Sequence, residues 1–168
     1  MSTESHPTSS TKPGHRALRQ GRVSLAGHYY VVTTGTYKRQ PFFRQWQIGR
    51  LVVAEMRRLQ AENIVQSLAW VIMPDHVHWL LVLGESMSLS VMVQTFKGRT
   101  ARRVNQALQR TGKVWQTAFY DHVLRRDEDV RTVARYIVAN PLRAGLVAQL
   151  GDYPLWDAIW IGEDGFGL

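Results

Sequence analysis

Trp70-Val71-Ile72-Met73-Pro74-Asp75-His76-Val77-His78-Trp79-Leu80-Leu81-Val82-Leu83 reads as a strand, a tight Pro-Asp turn and a second strand. In an extended chain successive side chains alternate faces, so His76, His78 and Leu80 point one way while Val77, Trp79 and Leu81 point the other. Apolar residues on both faces mark a central strand covered on both sides, where an imidazole needs a partner. A His-x-His pair on such a strand is a standard way to hold a metal ion. The spacing suits equally well two core imidazoles hydrogen-bonded to backbone or carboxylate.

Outward from that hairpin, His28 to Tyr37 is aromatic and β-branched, and predicts a first strand between Gly27 and Tyr37. Ile48, Leu51, Val52, Met56 and Leu59 recur near helical period, predicting a helix from about Arg44 to Ala61 with Gly49 as its blemish. The two strands of the hairpin span 64 to 72 and 76 to 83. After Gly84-Glu85-Ser86, Ser88 can cap a long helix with the apolar line Leu89, Met92, Val93, Phe96, Thr100, Val104 and Leu108. A fourth strand ends the run from Val114 to Arg125. Asp127 then caps a third helix, with Glu128 and Asp129 in its first turn, that stops at Asn140-Pro141. The order β-α-β-β-α-β-α predicts an α+β fold: a ferredoxin-like (RRM-like) antiparallel sheet with helices on one face, the third helix lying near the other.

The 168 residues suit one domain with tails: a basic arm over 1–26 (Lys12, Arg16, Arg19, Arg22), a domain over 27–148, and an acidic tail over 149–168 packing back through Trp156, Ile159 and Trp160. The absence of cysteine excludes disulfides, thiolate metal sites and cysteine nucleophiles. With no apolar run near the length of a membrane span and a polar start at Met1 to Lys12, the expected setting is cytoplasmic, without membrane contact. The net charge of +8 points to a polyanion partner. Between Ser88 and Lys113 the basic residues Lys97, Arg99, Arg102, Arg103, Arg110 and Lys113 occur without an acid, which predicts phosphate contacts.

On the third helix Val133, Tyr136, Ile137 and Asn140 share one stripe, so Tyr136 and Asn140 lie a turn apart on its inward-leaning side. An amide there must find partners, and a metal ion suits its carbonyl oxygen. Asn before Pro also commonly ends a helix, and Tyr is a good core residue with a polar tip. From spacing alone both readings stand.

The His-hydrophobe-His strand, a downstream helix with one tyrosine, and the runs Val114-Trp115-Gln116, Phe119-Tyr120-Asp121-His122-Val123-Leu124-Arg125 and Tyr136-Ile137-Val138-Ala139-Asn140-Pro141-Leu142-Arg143-Ala144-Gly145-Leu146 together resemble the REP-associated tyrosine transposases. These are single-tyrosine HUH nucleases related to insertion-sequence transposases, and the likeness runs from about Gly27 to Trp156. It implies that His76, His78 and Asn140 hold a divalent metal, Mg²⁺ or Mn²⁺, and that Tyr136 attacks a DNA phosphate to give a 5′-phosphotyrosine link. Two imidazoles and an amide suit such a weakly held ion better than tight zinc. The implied substrate is single-stranded DNA at the foot of a short palindromic hairpin. The family pattern favours Tyr136 over its rival Tyr120.

His122 and Asp75 are candidates for orienting metal or phosphate. Arg125, Arg126 and Arg135, with Lys97, Arg99, Arg102 and Arg103, are candidates for gripping the strand. Trp115, Phe119 and Tyr120 could stack bases, although core packing competes for at least two of them. The alternative function is a ferredoxin-like module that binds single-stranded nucleic acid without cutting it. A metal hydrolase built on the His pair would want further His or Glu ligands in the sheet. Monomer and homodimer both remain open.

Overall fold

The computed structural model describes residues 24–125 and 129–162. The order is β1 (Tyr29–Gly35), α1 (Trp46–Ala61), β2 (Val65–Met73), β3 (His76–Leu83), α2 (Leu89–Ala107), β4 (Tyr120–Val123), α3 (Val130–Val138), the single turn α4 (Asn140–Arg143) and β5 (Trp156–Ala158). One five-stranded antiparallel sheet runs β4-β1-β3-β2-β5, the expected α+β architecture with β3 at its centre.

The hairpin closes as the sequence implies, with Met73 opposite His76 across Pro74-Asp75. Alternation along β3 then divides the core. Val77, Trp79, Leu81 and Leu83 join the layer under α1 and α2, with Met56, Leu59, Met92 and Phe96. Leu80 joins the layer under α3, with Val71, Ala134, Ile137 and Val138. His76 and His78 share the parity of Leu80, so they face α3. A register shift between Ser67 and Ala69 puts Leu68 and Ala69 both in the α3 layer.

Ser88 caps α2, its hydroxyl accepting from Val91 N at 3.3 Å. For α3 the cap is not Asp127 but Asp129, whose carboxylate accepts from the backbone of Arg131 and Thr132 and from the Thr132 hydroxyl. With two backbone amides and one hydroxyl donating to its carboxylate, Asp129 satisfies the helix start, and the first turn at 130 follows it. Asp127 and Glu128 lie outside the described residues, as do Lys12, Arg16, Arg19 and Arg22 of the arm and Glu163 and Asp164 of the tail.

The segment after α4 adds a strand the sequence reading did not anticipate. β5 pairs with the edge of β2, Tyr153 donates its hydroxyl to Ile72 O at 2.7 Å, and Leu155 is buried against α1. Gly49 belongs to this packing: a Cβ there would lie 2.4 Å from Leu155 Cδ1. What looked like a blemish in α1 is the space β5 needs.

Candidate active site

Each histidine of β3 has its Nδ1 occupied. His76 Nδ1 lies 2.6 Å from Asp75 Oδ1, and Asp75 Oδ2 accepts from Arg39 Nε at 2.9 Å. Arg39 reaches it from a turn in which Lys38 and Arg39 both hold positive φ, 53° and 55°, a backbone non-glycine residues adopt at a cost. His78 Nδ1 lies 2.9 Å from the hydroxyl of Thr33, its cross-strand neighbour on β1. A carboxylate partner requires Nδ1–H on His76, and the hydroxyl can accept the same bond from His78, which leaves both Nε2 lone pairs on the α3 side. The rings stand 4.8 Å apart and nearly perpendicular. Burial, then the charges of His76, Arg143 and Arg39, push the His78 pKa down to about 4, so its imidazole is neutral at pH 7.

Arg143, whose charge acts on His78, closes α4, and α3 and α4 carry Tyr136 and Asn140 beside it. Asn140 Nδ2 donates to Ile137 O at 2.8 Å, which turns the amide back on the helix end and fixes its oxygen outward. Arg143 ties the group together: it donates to Asn140 Oδ1 and to Tyr136 O, both at 2.9 Å, and its guanidinium lies 3.6 Å over the Tyr136 ring. Tyr136 itself is 63 % exposed. The amide oxygen has a second lone pair beyond the bond to Arg143. Among the described residues no group of three or more His, Cys, Asp or Glu gathers into a metal site. Two imidazole nitrogens and an amide oxygen are a donor set that fits a hard divalent cation carrying its own water and phosphate oxygens.

Among the described residues α3 packs chiefly on β2, β3 and β5, with Val31 of β1 and Leu124 beside β4 joining that layer. The register puts Tyr120 beside Thr33 and His122 beside Val31, so both β4 residues share the histidine face, two strands out from β3. Tyr120 is 71 % exposed there. Of the three aromatics proposed as base platforms, Trp115 and Phe119 are instead in the core, Trp115 packed between Phe43 and Phe96.

The basic block of α2 lies on the opposite face from the histidines, and two of its members are turned onto the protein itself. Arg99 bridges the buried Glu55 at 3.1 Å and Glu62 at 3.0 Å. Lys97 Nζ donates to Gln116 O and Ala118 O, each at 2.9 Å. The run looked acid-free because its acids stand on α1. Arg102, Arg103 and Arg125 are exposed and Arg135 half-buried, while Arg126 lies outside the described residues. Sequence reasoning missed Thr33, Arg39 and Arg143. The register of β1 on β3 would have exposed Thr33, and Arg143 sits at i+3 from Asn140.

A family model described as "Transposase IS200 like" matches residues 24–140. The chain is 27 % identical to the "REP-associated tyrosine transposase" of Escherichia coli (strain K12) over 128 residues, covering 75 % of this chain and 72 % of that protein. Among solved structures, that of a REP-associated tyrosine transposase bound to a REP hairpin matches with a TM-score of 0.63 and 25 % identity, over 80 % of this chain and 79 % of the other.

Proposed function

Since the chain belongs to the IS200-like transposase family, we propose that it nicks and rejoins single-stranded DNA at the foot of a palindromic hairpin, with Tyr136 as nucleophile. The observation that carries the reading is that the His76–His78 pair faces the α3 layer, where Arg143, whose charge acts on His78, also holds Asn140 and Tyr136.

His76, His78 and Asn140 would hold a divalent ion, whose chemistry is to polarise a phosphate oxygen. The Tyr136 hydroxyl gives up its proton to solvent and its oxygen bonds to phosphorus. The bond from phosphorus to the 3′ oxygen breaks, and that oxygen leaves as a hydroxyl after taking a proton. A 5′-phosphotyrosine remains, and the reverse attack by a 3′-hydroxyl rejoins strands without ATP. Asp75 and Thr33 fix the imidazoles, Arg39 holds Asp75, and Arg143 fixes the ring of Tyr136. The β1–β4 half of the face, with Tyr120 exposed on it, offers the strand a bed. Arg102, Arg103, Arg125 and Arg135 remain the candidates for backbone contacts, with Lys97 and Arg99 held to the fold.

The test incubates protein with labelled single-stranded DNA carrying a palindromic hairpin and varied flanks, with Mn²⁺ or EDTA, and resolves products on denaturing gels. A covalent adduct that needs metal and is lost in Tyr136→Phe but kept in Tyr120→Phe is expected. Loss only in Tyr120→Phe moves the nucleophile; tight binding with no adduct under any condition refutes the nuclease reading in favour of a binding module.

A further inference from the structure

The loop before β4 carries one side chain onto the histidine face that the reading above does not use. Trp115 is locked on the helix face, its Nε1 donating to Thr100 Oγ1 at 2.8 Å, and it bridges Thr36 at the end of β1. The next residue therefore points to the other face. Gln116 does so with its backbone pinned on both sides: its N donates to Gly35 O at 2.9 Å and its O accepts from Lys97.

Its amide comes to rest over Gly35, the residue directly across the ladder from His76. A Cβ at position 35 would stand 3.3 Å from Cδ, Oε1 and Nε2 of Gln116 alike, so the amide lies flat on the glycine. Glycine at this place in β1 is what lets the amide sit there. Directly opposed residues of an antiparallel pair hold their Cβ atoms about 5 Å apart, which brings the amide within a side chain's reach of the His76 ring. The amide is half-buried and hydrogen-bonds to none of the described residues. Its donors and acceptor are therefore available to a ligand that reaches this part of the face.

We propose that Gln116 donates its amide N–H to a non-bridging oxygen of the scissile phosphate, on the side of the histidine pair away from Asn140, as a catalytic residue of the nicking reaction. This rests on the nuclease reading. A neutral donor there stabilises charge building on the phosphoryl oxygens, and a fixed donor does so without reorganising as the bond forms. Lys97 is its positioning residue, clamping the loop from the far side of the sheet.

The experiment measures single-turnover adduct formation on hairpin DNA, with ordinary phosphate and with each phosphorothioate stereoisomer at the cleaved step, for wild type and Gln116→Ala. Hairpin affinity is measured in a Tyr136→Phe background. Expected are an about 10- to 100-fold slower adduct in Gln116→Ala, hairpin affinity within about twofold, an unchanged melting temperature, and one stereoisomer that slows wild type but no longer slows the variant further. Gly35→Ala should reproduce part of the loss by displacing the amide. An adduct rate equal to wild type, or a slower one with the sulfur effect intact, overturns the assignment of Gln116 alone. No adduct from wild type on any hairpin overturns the nuclease reading and this assignment with it.

Discussion

Acidification should destabilise this protein through His78. Burial first, and then the neighbouring charges, lower its pKa from 6.5 to about 4 in the folded state, while the unfolded chain titrates near 6.5. Between those values the unfolded state binds a proton that the native state does not, so stability is fully present above about pH 7 and falls as pH drops towards 4. A difference of about 2.5 pKa units corresponds to about 3 kcal/mol in total, of which about 2 kcal/mol is gone by pH 5. Urea unfolding of wild type and His78→Gln at half-unit intervals from pH 4 to 8 isolates this residue, because His28, His76 and His122 are present in both. The wild-type advantage over His78→Gln should shrink by this amount on acidification. A gap between the two proteins that stays constant across that window would refute a buried neutral imidazole at position 78. The same imidazole offers its lone pair at any pH above 5, so loss of adduct formation on mild acidification would have to come from another group.

Three further outcomes follow from the packing. Arg99→Met strands the buried Glu55 carboxylate and should cost about 3 kcal/mol in urea unfolding, whereas the exposed Arg102→Met should stay within about 0.5 kcal/mol; equal effects would deny Arg99 its structural role. Gly49→Ala drives a methyl into Leu155 and should destabilise by about 1–3 kcal/mol, with amide exchange of β5 accelerating ahead of that of β1. Arg143→Met removes a cation beside Asn140 Oδ1 and should tighten Mn²⁺ binding by calorimetry while slowing adduct formation; weaker Mn²⁺ binding would mean that Arg143 assists the ion instead.

Much of the fold was legible because period and punctuation agreed. The Pro-Asp turn set the hairpin register, and alternation along β3 placed His76 and His78 on one face. On the third helix the reading was partial: α3 ends at Val138, Asn140 opens α4, and Tyr136, expected on the inward-leaning side, is 63 % exposed. What escaped was whatever depends on partners far apart in sequence. The basic run on α2 could not reveal that Glu55 and Glu62 would neutralise Arg99, because those acids lie about 40 residues earlier on another helix. β5 escaped for a similar reason: three residues with mixed polarity carry no alternation to count, and only the edge of β2 makes them a strand. Asp127, Glu128 and Asp129 offered three capping residues in a row, and composition could not choose among them.

The sheet's two faces divide the labour in a way that accounts for where the site lies. One face is closed along its length by α1 and α2 and holds the larger core, with Trp79, Phe96 and Phe43 fully buried. Among the described residues the other is covered by α3 chiefly over β2, β3 and β5, with Val31 of β1 at the border of that layer, because α3 has just nine residues and β5 fills the edge beneath it. β3 is thus the border between the half-face under α3, which can hold an imidazole neutral, and the β1–β4 half-face, which can admit a strand. A histidine pair one strand further in would be sealed from solvent; one strand further out it would be wet and unpositioned. Thr33 on β1 reaches across that border to hold His78, and the clamp of Lys97 on the loop at Gln116 reaches it from the closed face. The stability of the α1–α2 layer is in this way coupled to the geometry of the site on the other side of the sheet.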